Sequence, residues 1–279
     1  SIGAVLRMDV QPMEILVICR PKDDTETYDW LVNISKEIEI LKIVTIDIPG
    51  QVQAMNAAIP LAKGDIVAIL DDDALPKSNW LSEIIKCYKD PKVGAVGGRD
   101  IVHQYGKIHD TPQTQIAGVR DFWGNIIGNH HLVVGEAREV DVIKGCNLTF
   151  RRHAVGSLKF DERLLGKGAQ VGNDSWFSLC IKQLGYKVIL NPQAIVDHYP
   201  AERADGARDT LSKEKCFENT ANHIAIAVSF LNLWDKLKFI SFYIVVGNRF
   251  CPGVLHFLNT MLKRPQKLLK IMIGGWSGF

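Results

Sequence analysis

The first hundred residues alternate between solid apolar runs and stretches whose apolar residues recur at helical spacing. Solid runs of branched apolar residues are typical of strands buried on both faces of a sheet. We predict such strands at Glu14 to Cys19, Ile43 to Ile48, Ile66 to Leu70 and Val93 to Val96. Helices are predicted over Gln51 to Lys63, where Pro60 should distort the last turn, and from Ser78 or Asn79 onward. This alternation predicts an α/β fold with a parallel, doubly wound sheet.

The middle of the chain is less regular. Residues 101–138 combine weak periodicity with several histidines, and we interpret them as loop and short helix on an acceptor side. A strand is predicted to resume over Glu139 to Phe150, and the glycines at 166, 168 and 172 then predict a mobile lid or a binding loop. A helix should open at Asp174, and a strand should follow over Lys187 to Leu190.

The last third is apolar and helical in pattern, over Ala221 to Trp234 and again over Phe239 to Val246. Neither run approaches the ~20 apolar residues that span a bilayer, so these helices should pack on the domain or lie in a membrane interface. The following segment mixes apolar residues with basic ones, which suits an interface and equally suits the outer face of an ordinary terminal helix. Its basic residues are Lys263, Arg264, Lys267 and Lys270.

Composition narrows the class of protein. The net charge is +2, from 33 basic and 31 acidic residues, so the total charge does not predict a nucleic-acid partner. Six cysteines without a C-x-x-C pair favour a reducing, cytoplasmic compartment. The first residues lack the pattern of a signal peptide, and the absence of an initial Met suggests truncation.

Three consecutive carboxylates, Asp71, Asp72 and Asp73, end the apolar run 66–70. Ligand sites in α/β sheets lie outside the carboxyl ends of the strands. Three adjacent acids repel one another unless a cation binds, and Mg²⁺ prefers carboxylates together with water or substrate phosphates. The pattern therefore predicts a metal and a diphosphate, and the alternative is a solvated acidic turn.

Several segments, in order, resemble family 2 glycosyltransferases of the GT-A fold, with a Rossmann-like, mostly parallel sheet. The resemblance covers roughly residues 10 to 200, followed here by a C-terminal helical extension. The segments are Pro49 to Asn56, Ala62 to Asp65, Leu70 to Ala74, Trp80-Leu81, Gly145 to Arg152, Asn173-Asp174 and Val196 to His198.

The resemblance implies an inverting, metal-dependent transfer of a sugar from a nucleotide diphosphate sugar to a hydroxyl. Asp73, with Asp71 acting through water, would hold Mg²⁺ or Mn²⁺, and His198 would be a further ligand or a phosphate contact. Asp72 would face the ribose. Asp174 would be the general base, although it also suits a helix N-cap, and His198 alone also suits a structural role.

Four further residues are candidates for binding the substrates, namely Arg20, Asp24, Asn56 and Asn147, the last of which lies in the segment that resembles the family's acceptor-side strand. Arg20 suits a contact with base or phosphate. Asn147 suits either the substrate or its own loop, and the sequence leaves both open. Met55 and Asn173 depart from the family pattern, so the resemblance does not determine the identity of the donor. A UDP-sugar is favoured.

The family's first strand has no counterpart, since Glu14 to Cys19 aligns with the second. The chain would then be a fragment, borrow a strand from a partner, or bind donors poorly. We divide it into a nucleotide-sugar half (1–100), an acceptor-side half (101–205) and a helical region (206–279) with possible peripheral membrane contact. The acceptor would be a saccharide or a lipid-linked hydroxyl, in polysaccharide or glycolipid synthesis at the inner face of the cell membrane.

Three other functions share parts of this pattern. A sugar nucleotidyltransferase would need a Gly-rich basic loop after its first strand, which the sequence lacks. A haloacid-dehalogenase-type phosphatase would need Thr or Val near Leu75 and a later Lys. A non-catalytic sugar-nucleotide-binding or scaffold protein on the same fold would be consistent with the missing first strand.

Overall fold

The computed structural model describes residues 1–166, 168, 170–200, 212–248, 251 and 253–263. Its helices are α1 Ile2–Val5, α2 Thr25–Ile34, α3 Gln51–Ala58, α4 Trp80–Cys87, α5 Arg152–Val155, α6 Asn173–Gln183, α7 Lys213–Phe230, α8 Leu233–Val245 and α9 Val254–Lys263. Its strands are β1 Ile15–Cys19, β2 Leu41–Thr45, β3 Ile66–Leu70, β4 Ala74–Pro76, β5 Val93–Gln104, β6 Lys107–His109, β7 Val119–Arg120, β8 Ile126–Ile127, β9 Arg138–Val140, β10 Asn147–Arg151 and β11 Lys187–His198. The predicted α/β class, a central sheet flanked by helices, is confirmed.

The central sheet is mixed rather than mostly parallel. Its strands follow the order β3-β10-β5-β11-β4, with β6 beside β5 and β9 beside β11. β5 and β11 run parallel, whereas β10 and β4 pair antiparallel with their neighbours. β1 and β2 form a separate parallel pair, and β7 and β8 form a small antiparallel one. A solid apolar run indicates that a strand is buried on both faces, but it does not indicate the direction of the strand. The sequence therefore did not distinguish parallel from antiparallel strands.

Most of residues 101–138 are loop, as predicted, but the predicted short helix is absent from the described residues of this segment and short strands interrupt the loop. β5 continues to Gln104 and turns through Tyr105 and Gly106, both with positive φ, into β6; β7 and β8 follow, and the described residues of this segment contain no helix. Polar residues in the second half of β5 interrupt its apolar pattern, so the sequence did not indicate its full length. Asp100 is fully buried inside it and contacts Lys144, so it does not mark a surface loop.

The predicted strand over Glu139 to Phe150 is in fact two strands, β9 and β10. The chain leaves the first because the N–H groups of Asp141 and Val142 both donate to the carbonyl of Gly118, at 2.7 and 2.9 Å. The strand predicted over 187–190 extends as β11 to His198, with a shift of register between Asn191 and Ile195. Pro60 limits α3 as expected: the helix ends at Ala58 and a 3₁₀ turn follows.

The two faces of the sheet carry different parts of the core. Val67 and Ile69 of β3 pack on the face that α3 and α6 cover, whereas Ile66 and Leu70 pack on the face that α1 and α4 cover. This alternation follows from the two-residue period of a strand. Trp80 and Phe177 are buried anchors of the two faces.

One close approach joins β5 to the bend in β11. A Cβ added to Gly98 would lie 1.9 Å from the carbonyl oxygen of Ala194 and 2.5 Å from the Asn147 amide nitrogen. Glycine is therefore required at position 98, because the irregular stretch of β11 between Asn191 and Ile195 brings the Ala194 carbonyl against the backbone of β5.

The C-terminal helices pack on the sheet domain through α7. The Asn222 side chain accepts from the N–H of Leu165 at 2.7 Å and donates to the carbonyls of Leu165 and Val171. The run predicted over Ala221 to Trp234 divides, because α7 ends at Phe230 and Asn232 caps α8 through the N–H of Asp235. Among the helices described, none combines the length and apolarity that crossing a bilayer requires. The basic residues Arg264, Lys267 and Lys270 lie outside the described residues.

Candidate functional site

The acidic triplet and His198 meet because the short strand β4 pairs with the end of β11. Ala74 lies opposite His198 in this antiparallel pair, and Asp73 directly precedes Ala74. The carbonyl of Asp73 also accepts from the N–H of Tyr199 at 2.9 Å. Two segments about 125 positions apart in sequence are thereby fixed at the carboxyl end of β3, the edge where a ligand site was predicted.

Asp71, Asp73 and His198 each offer a ligand atom, and these three atoms lie within 4.8 Å of one another. The His198 Nε2 is 3.3 Å from Asp73 Oδ1. Asp71 is half-buried and accepts from Gln51 Nε2 at 3.3 Å, whereas Asp72 is exposed. Two carboxylates and one imidazole suit Mg²⁺ or Mn²⁺, so the residues present fit the ion that the sequence predicted.

Charge is concentrated around these groups. Burial raises the pKa of Asp71, and repulsion from Asp73 and Asp72 raises it further. Burial by itself would lower the pKa of His198, but the neighbouring Asp100, Asp73 and Cys146 side chains raise it to about 11. An imidazole nitrogen must be deprotonated to bind a metal ion, so binding of the ion at His198 would be favoured by a rise in pH.

A second group of residues, which the sequence analysis missed, lies behind His198. Asp100 Oδ2 is 3.7 Å from His198 Nδ1, and Lys144 forms an ion pair with the same carboxylate. Asp100, Cys146 and His198 also lie close enough to share an ion. The ammonium of Lys144 already neutralises Asp100, so we regard this group as the support of the His198 ring rather than a second metal centre. The sequence offered one signal for this group, namely that the acidic residue Asp100 follows an apolar run predicted to be a strand.

Asp174 lies in the first turn of α6 and not at its N-cap, which is Gly172. Its Oδ2 accepts from the N–H of Gly145 at 3.0 Å, and its Oδ1 accepts from the N–H of Ser175 at 2.7 Å. Gly145 belongs to the loop that carries Lys144 and Cys146. Asp174 is thereby oriented beside the group that surrounds His198.

Two asparagines predicted to bind substrate have side chains that are hydrogen-bonded within the fold. Asn147 accepts from Trp80 Nε1 at 2.8 Å and donates to the carbonyls of Arg99 and Ala194. Asn56 exchanges hydrogen bonds with the backbone of Phe160, at 2.9 and 3.0 Å. These contacts show Asn147 and Asn56 joining segments of the core, and Asn147 is fully buried.

Arg20 and Asp24 lie just beyond β1. The Arg20 guanidinium pairs with Asp23 and donates to the carbonyl of Asp47 at 3.0 Å, which links the ends of β1 and β2. Asp24 is the N-cap of α2, where it accepts from the N–H of Thr27 at 2.9 Å. The predicted lid at 166–172 includes residues 167 and 169, which lie outside the described residues, and the carbonyl of Gly168 accepts from the N–H of Gln51.

Comparison with solved structures identifies the fold. The chain is similar to GalNAc-T7 with UDP, GalNAc and Mn²⁺, with a TM-score of 0.57, 16% identity, and coverage of 96% of this chain and 54% of that one. It is similar also to S. aureus TarS 1-349 in complex with UDP-GlcNAc, with a TM-score of 0.58, 13% identity, and coverage of 97% of this chain and 74% of that one. The fold and its acidic edge define a GT-A glycosyltransferase architecture, as the sequence predicted.

Comparison of sequences gives the family. Residues 2–213 match the model of glycosyltransferase like family 2, and the chain belongs to that family. A relative is glucosyl-dolichyl phosphate glucuronosyltransferase of Haloferax volcanii, 25% identical over 207 residues, with 71% of this chain and 63% of the relative covered. The chain spans less than two thirds of the length of the curated relatives it matches, from 24% to 63% of the first three.

Proposed function

We propose that the protein transfers a sugar, with inversion, from a nucleoside diphosphate sugar to a hydroxyl of a saccharide or lipid-linked acceptor. A UDP-sugar is the favoured donor, and polysaccharide or glycolipid synthesis is the setting. Membership of the family supports sugar transfer in general. The similar proteins, which include a glucosyl-dolichyl phosphate glucuronosyltransferase and structures with UDP or UDP-GlcNAc, support the donor and the lipid-linked acceptor.

The observation that carries the proposal is the convergence of Asp71, Asp73 and His198 at the carboxyl edge of β3. When bound there, Mg²⁺ or Mn²⁺ would neutralise the charge that grows on the leaving diphosphate. Asp73 and His198 would hold the ion directly. Asp71, oriented by Gln51, would act directly or through water. Asp72 is exposed beside them and is free to reach the ribose.

Asp174 is the proposed general base. An inverting displacement needs a carboxylate that accepts the proton of the acceptor hydroxyl as the new bond forms. The N–H groups of Gly145 and Ser175 orient the carboxylate, and the Ser175 hydroxyl also donates to Oδ1 at 3.4 Å. Oδ2, which accepts only from Gly145 among the described residues, keeps a further lone pair with which to accept a proton.

Calorimetric titration with UDP, GDP and their sugar conjugates, in Mn²⁺ and in chelator, tests the proposal. We expect one nucleotide to bind in Mn²⁺ only. Asp73→Asn should weaken that binding by about 10- to 100-fold, the usual cost of disturbing a metal site. The matched control is Asp29→Asn, which changes an exposed acid of α2 and should leave binding unchanged.

Asp174→Asn separates binding from chemistry. The substitution should leave the donor affinity unchanged and slow sugar transfer by about 10²- to 10⁴-fold, the usual contribution of a general base. Transfer at the wild-type rate would refute the assignment of the base. Failure of every nucleotide to bind would refute the proposed function itself.

Peripheral contact with a membrane, at the cytoplasmic face, is a further part of the proposal. One side of α8 exposes Leu233, Trp234, Leu237, Ile240 and Ile244, with Trp234 76% exposed. These positions recur at helical spacing, and Lys236 and Lys238 lie on the same helix, a composition that suits an anionic lipid interface. Sedimentation with phosphatidylglycerol vesicles should deplete the protein, and Trp234→Ser with Leu237→Ser should abolish the effect. Ile108→Ser, an exposed site on β6, is the control.

A further inference from the structure

The ring of His198 lies between two carboxylates, one facing each of its nitrogens. Its Nε2 is 3.3 Å from Asp73 Oδ1, and its Nδ1 is 3.7 Å from Asp100 Oδ2. Asp73 belongs to the acidic triplet, whereas Asp100 lies in the second half of β5 and has a fully buried side chain. One nitrogen of the ring therefore faces the candidate metal site, and the other faces the interior of the protein.

Polar atoms on the inner side of the ring are not hydrogen-bonded. His198 Nδ1 and Asp100 Oδ1 are both buried, and neither has a hydrogen-bond partner among the described residues. A movement of about 1 Å would bring Nδ1 within hydrogen-bond length of the Asp100 carboxylate. A histidine that binds a metal through one nitrogen almost always donates its other N–H to a carboxylate, a backbone carbonyl or water. Asp100 is the carboxylate in that position.

Lys144 compensates the buried charge of Asp100. A buried carboxylate is costly unless a cation pairs with it, and the ammonium of Lys144 forms an ion pair with Asp100 Oδ2. The Lys144 side chain is 35% exposed, so it extends from the surface to a carboxylate that water does not reach. Lys144 therefore stabilises a negative charge behind the ring of His198.

Both neighbours of Lys144 in the chain are bonded to the start of α6. On one side, the N–H of Gly145 donates to Asp174 Oδ2 at 3.0 Å. On the other side, the N–H of Ile143 donates to the Ser178 hydroxyl at 3.2 Å, and that hydroxyl donates to the carbonyl of Asp174 at 2.7 Å. The position of Lys144 is thus linked to the orientation of Asp174.

We infer that Asp100 and Lys144 form a positioning pair that aligns the metal ligand with the general base. Asp100 holds the ring of His198 with Nε2 toward the metal site. Lys144, attracted to Asp100, holds the segment whose N–H orients Asp174. The pair acts through His198 and Asp174. The inference rests on the proposed function and deepens it, because it names the residues that set the geometry of the site.

Exchange of the pair for uncharged residues separates positioning from stability. Replacing both members of a buried ion pair with apolar residues of similar size often leaves stability unchanged or raises it. The apolar variant, Asp100→Leu with Lys144→Met, is therefore expected to fold, and it removes the acceptor that faces His198 Nδ1. The amide variant, Asp100→Asn with Lys144→Met, is its matched control, because it removes the same charges and keeps an oxygen that can accept.

Electron paramagnetic resonance with Mn²⁺ alone measures the affinity of the metal site without donor or acceptor. The apolar variant should bind Mn²⁺ about 10- to 100-fold more weakly than the wild type, the usual cost of losing the partner of a metal-binding histidine. The amide variant should lie between the two. Asp90→Asn with Lys187→Met exchanges an ion pair at the opposite end of β11 and should leave the affinity unchanged.

The rate of sugar transfer tests the link to the base. At saturating Mn²⁺ and donor, the apolar variant should have a kcat lower than that of the wild type by about tenfold or more. The same exchange made in Asp174→Asn should lower kcat little further, because residues that act through one another are not additive. An equal loss in both backgrounds would overturn the inference that one pair serves both groups.

The Mn²⁺ titration distinguishes failure of this inference from failure of the proposed function. Equal affinity in the wild type, the apolar variant and the amide variant would overturn the inference and leave the proposed metal site intact. Absence of Mn²⁺ binding by the wild type would refute the metal site and the inference together. If thermal unfolding shows that the apolar variant does not fold, the amide variant decides, since its affinity must then fall below that of the wild type.

Discussion

At the scale of single residues, Asn147 shows how a polar side chain can hold a core together. Its amide accepts from Trp80 and donates to two carbonyls, so one buried side chain joins α4, β5, β10 and β11. Buried polar groups are stabilising only while all of their partners remain paired. Asn147 thus fixes the strands whose ends carry the candidate site.

Asn147→Ala should lower the free energy of unfolding by about 2–4 kcal/mol, because it leaves the Trp80 Nε1–H and two backbone carbonyls unpaired. Urea denaturation measures the loss. Asn33→Ala, at an exposed position where the side chain accepts only from Lys36, is the control and should change the free energy by less than about 0.5 kcal/mol. Equal losses in the two variants would contradict this role of Asn147.

At the scale of elements, the contact between α7 and α8 depends on a neutral histidine. His223 of α7 packs against Phe239 and Tyr243 of α8, with ring centroids 5.3 and 5.7 Å apart. Burial lowers the pKa of His223 to about 4, and the charge of Asp121 opposes this shift only in part. The unfolded chain, whose histidine titrates near 6.5, therefore binds this proton more readily than the folded protein does.

His223 should make the protein less stable as the pH falls. Its contribution is fully present above pH 6.5 and is lost progressively as the pH falls to about 4, by up to about 3 kcal/mol. His223→Phe keeps an aromatic ring and cannot titrate. As the pH falls from 6.5 to about 4, the wild type should therefore lose free energy of unfolding relative to this variant. Thermal unfolding at pH 7, 5.5 and 4.5 measures the difference, and parallel pH profiles would contradict the prediction.

At the scale of the whole molecule, a cavity of about 780 Å³ lies between the two-stranded sheet and the central sheet, and the two sheets should differ in local stability. A two-stranded sheet is marginal by itself, whereas β5, β10 and β11 lie in the buried centre of the larger sheet. The β1–β2 pair meets the rest mainly through α3 and the contact of Glu14 with Lys63. The smaller sheet should therefore open without unfolding of the larger one.

Amide hydrogen exchange of the protein alone tests this difference. Residues 15–19 and 41–45 should exchange at least about 100-fold faster than residues 95–98 and 147–150, because their opening does not require global unfolding. Uniform protection across both sheets would contradict it. Glu14→Gln removes the ion pair between Glu14 and Lys42, and it alters the carboxylate that accepts from the N–H of Lys63. The substitution should therefore increase the difference in exchange rate between the two sheets.

The sequence predicted the family, the class of fold and the acidic edge, because apolar runs, turn residues and the triplet at 71–73 are local signals. It did not predict the direction of β10 or the length of β5, since strand direction depends on partners that are distant in the chain. Lys144 and Cys146 were missed for the same reason: neither has a local pattern, and only the fold brings them to His198. Asn147 was ambiguous because its three partners come from three separate segments.

The close contact between Gly98 and the Ala194 carbonyl has an evolutionary consequence. Even the single methyl group of alanine would collide there with a backbone carbonyl, and no change of a neighbouring side chain could relieve that collision. Selection should therefore purge every substitution at position 98, although the residue takes no part in chemistry. An alignment of relatives that share the bend in β11 should show glycine at this position even where the donor sugar and the acceptor have diverged.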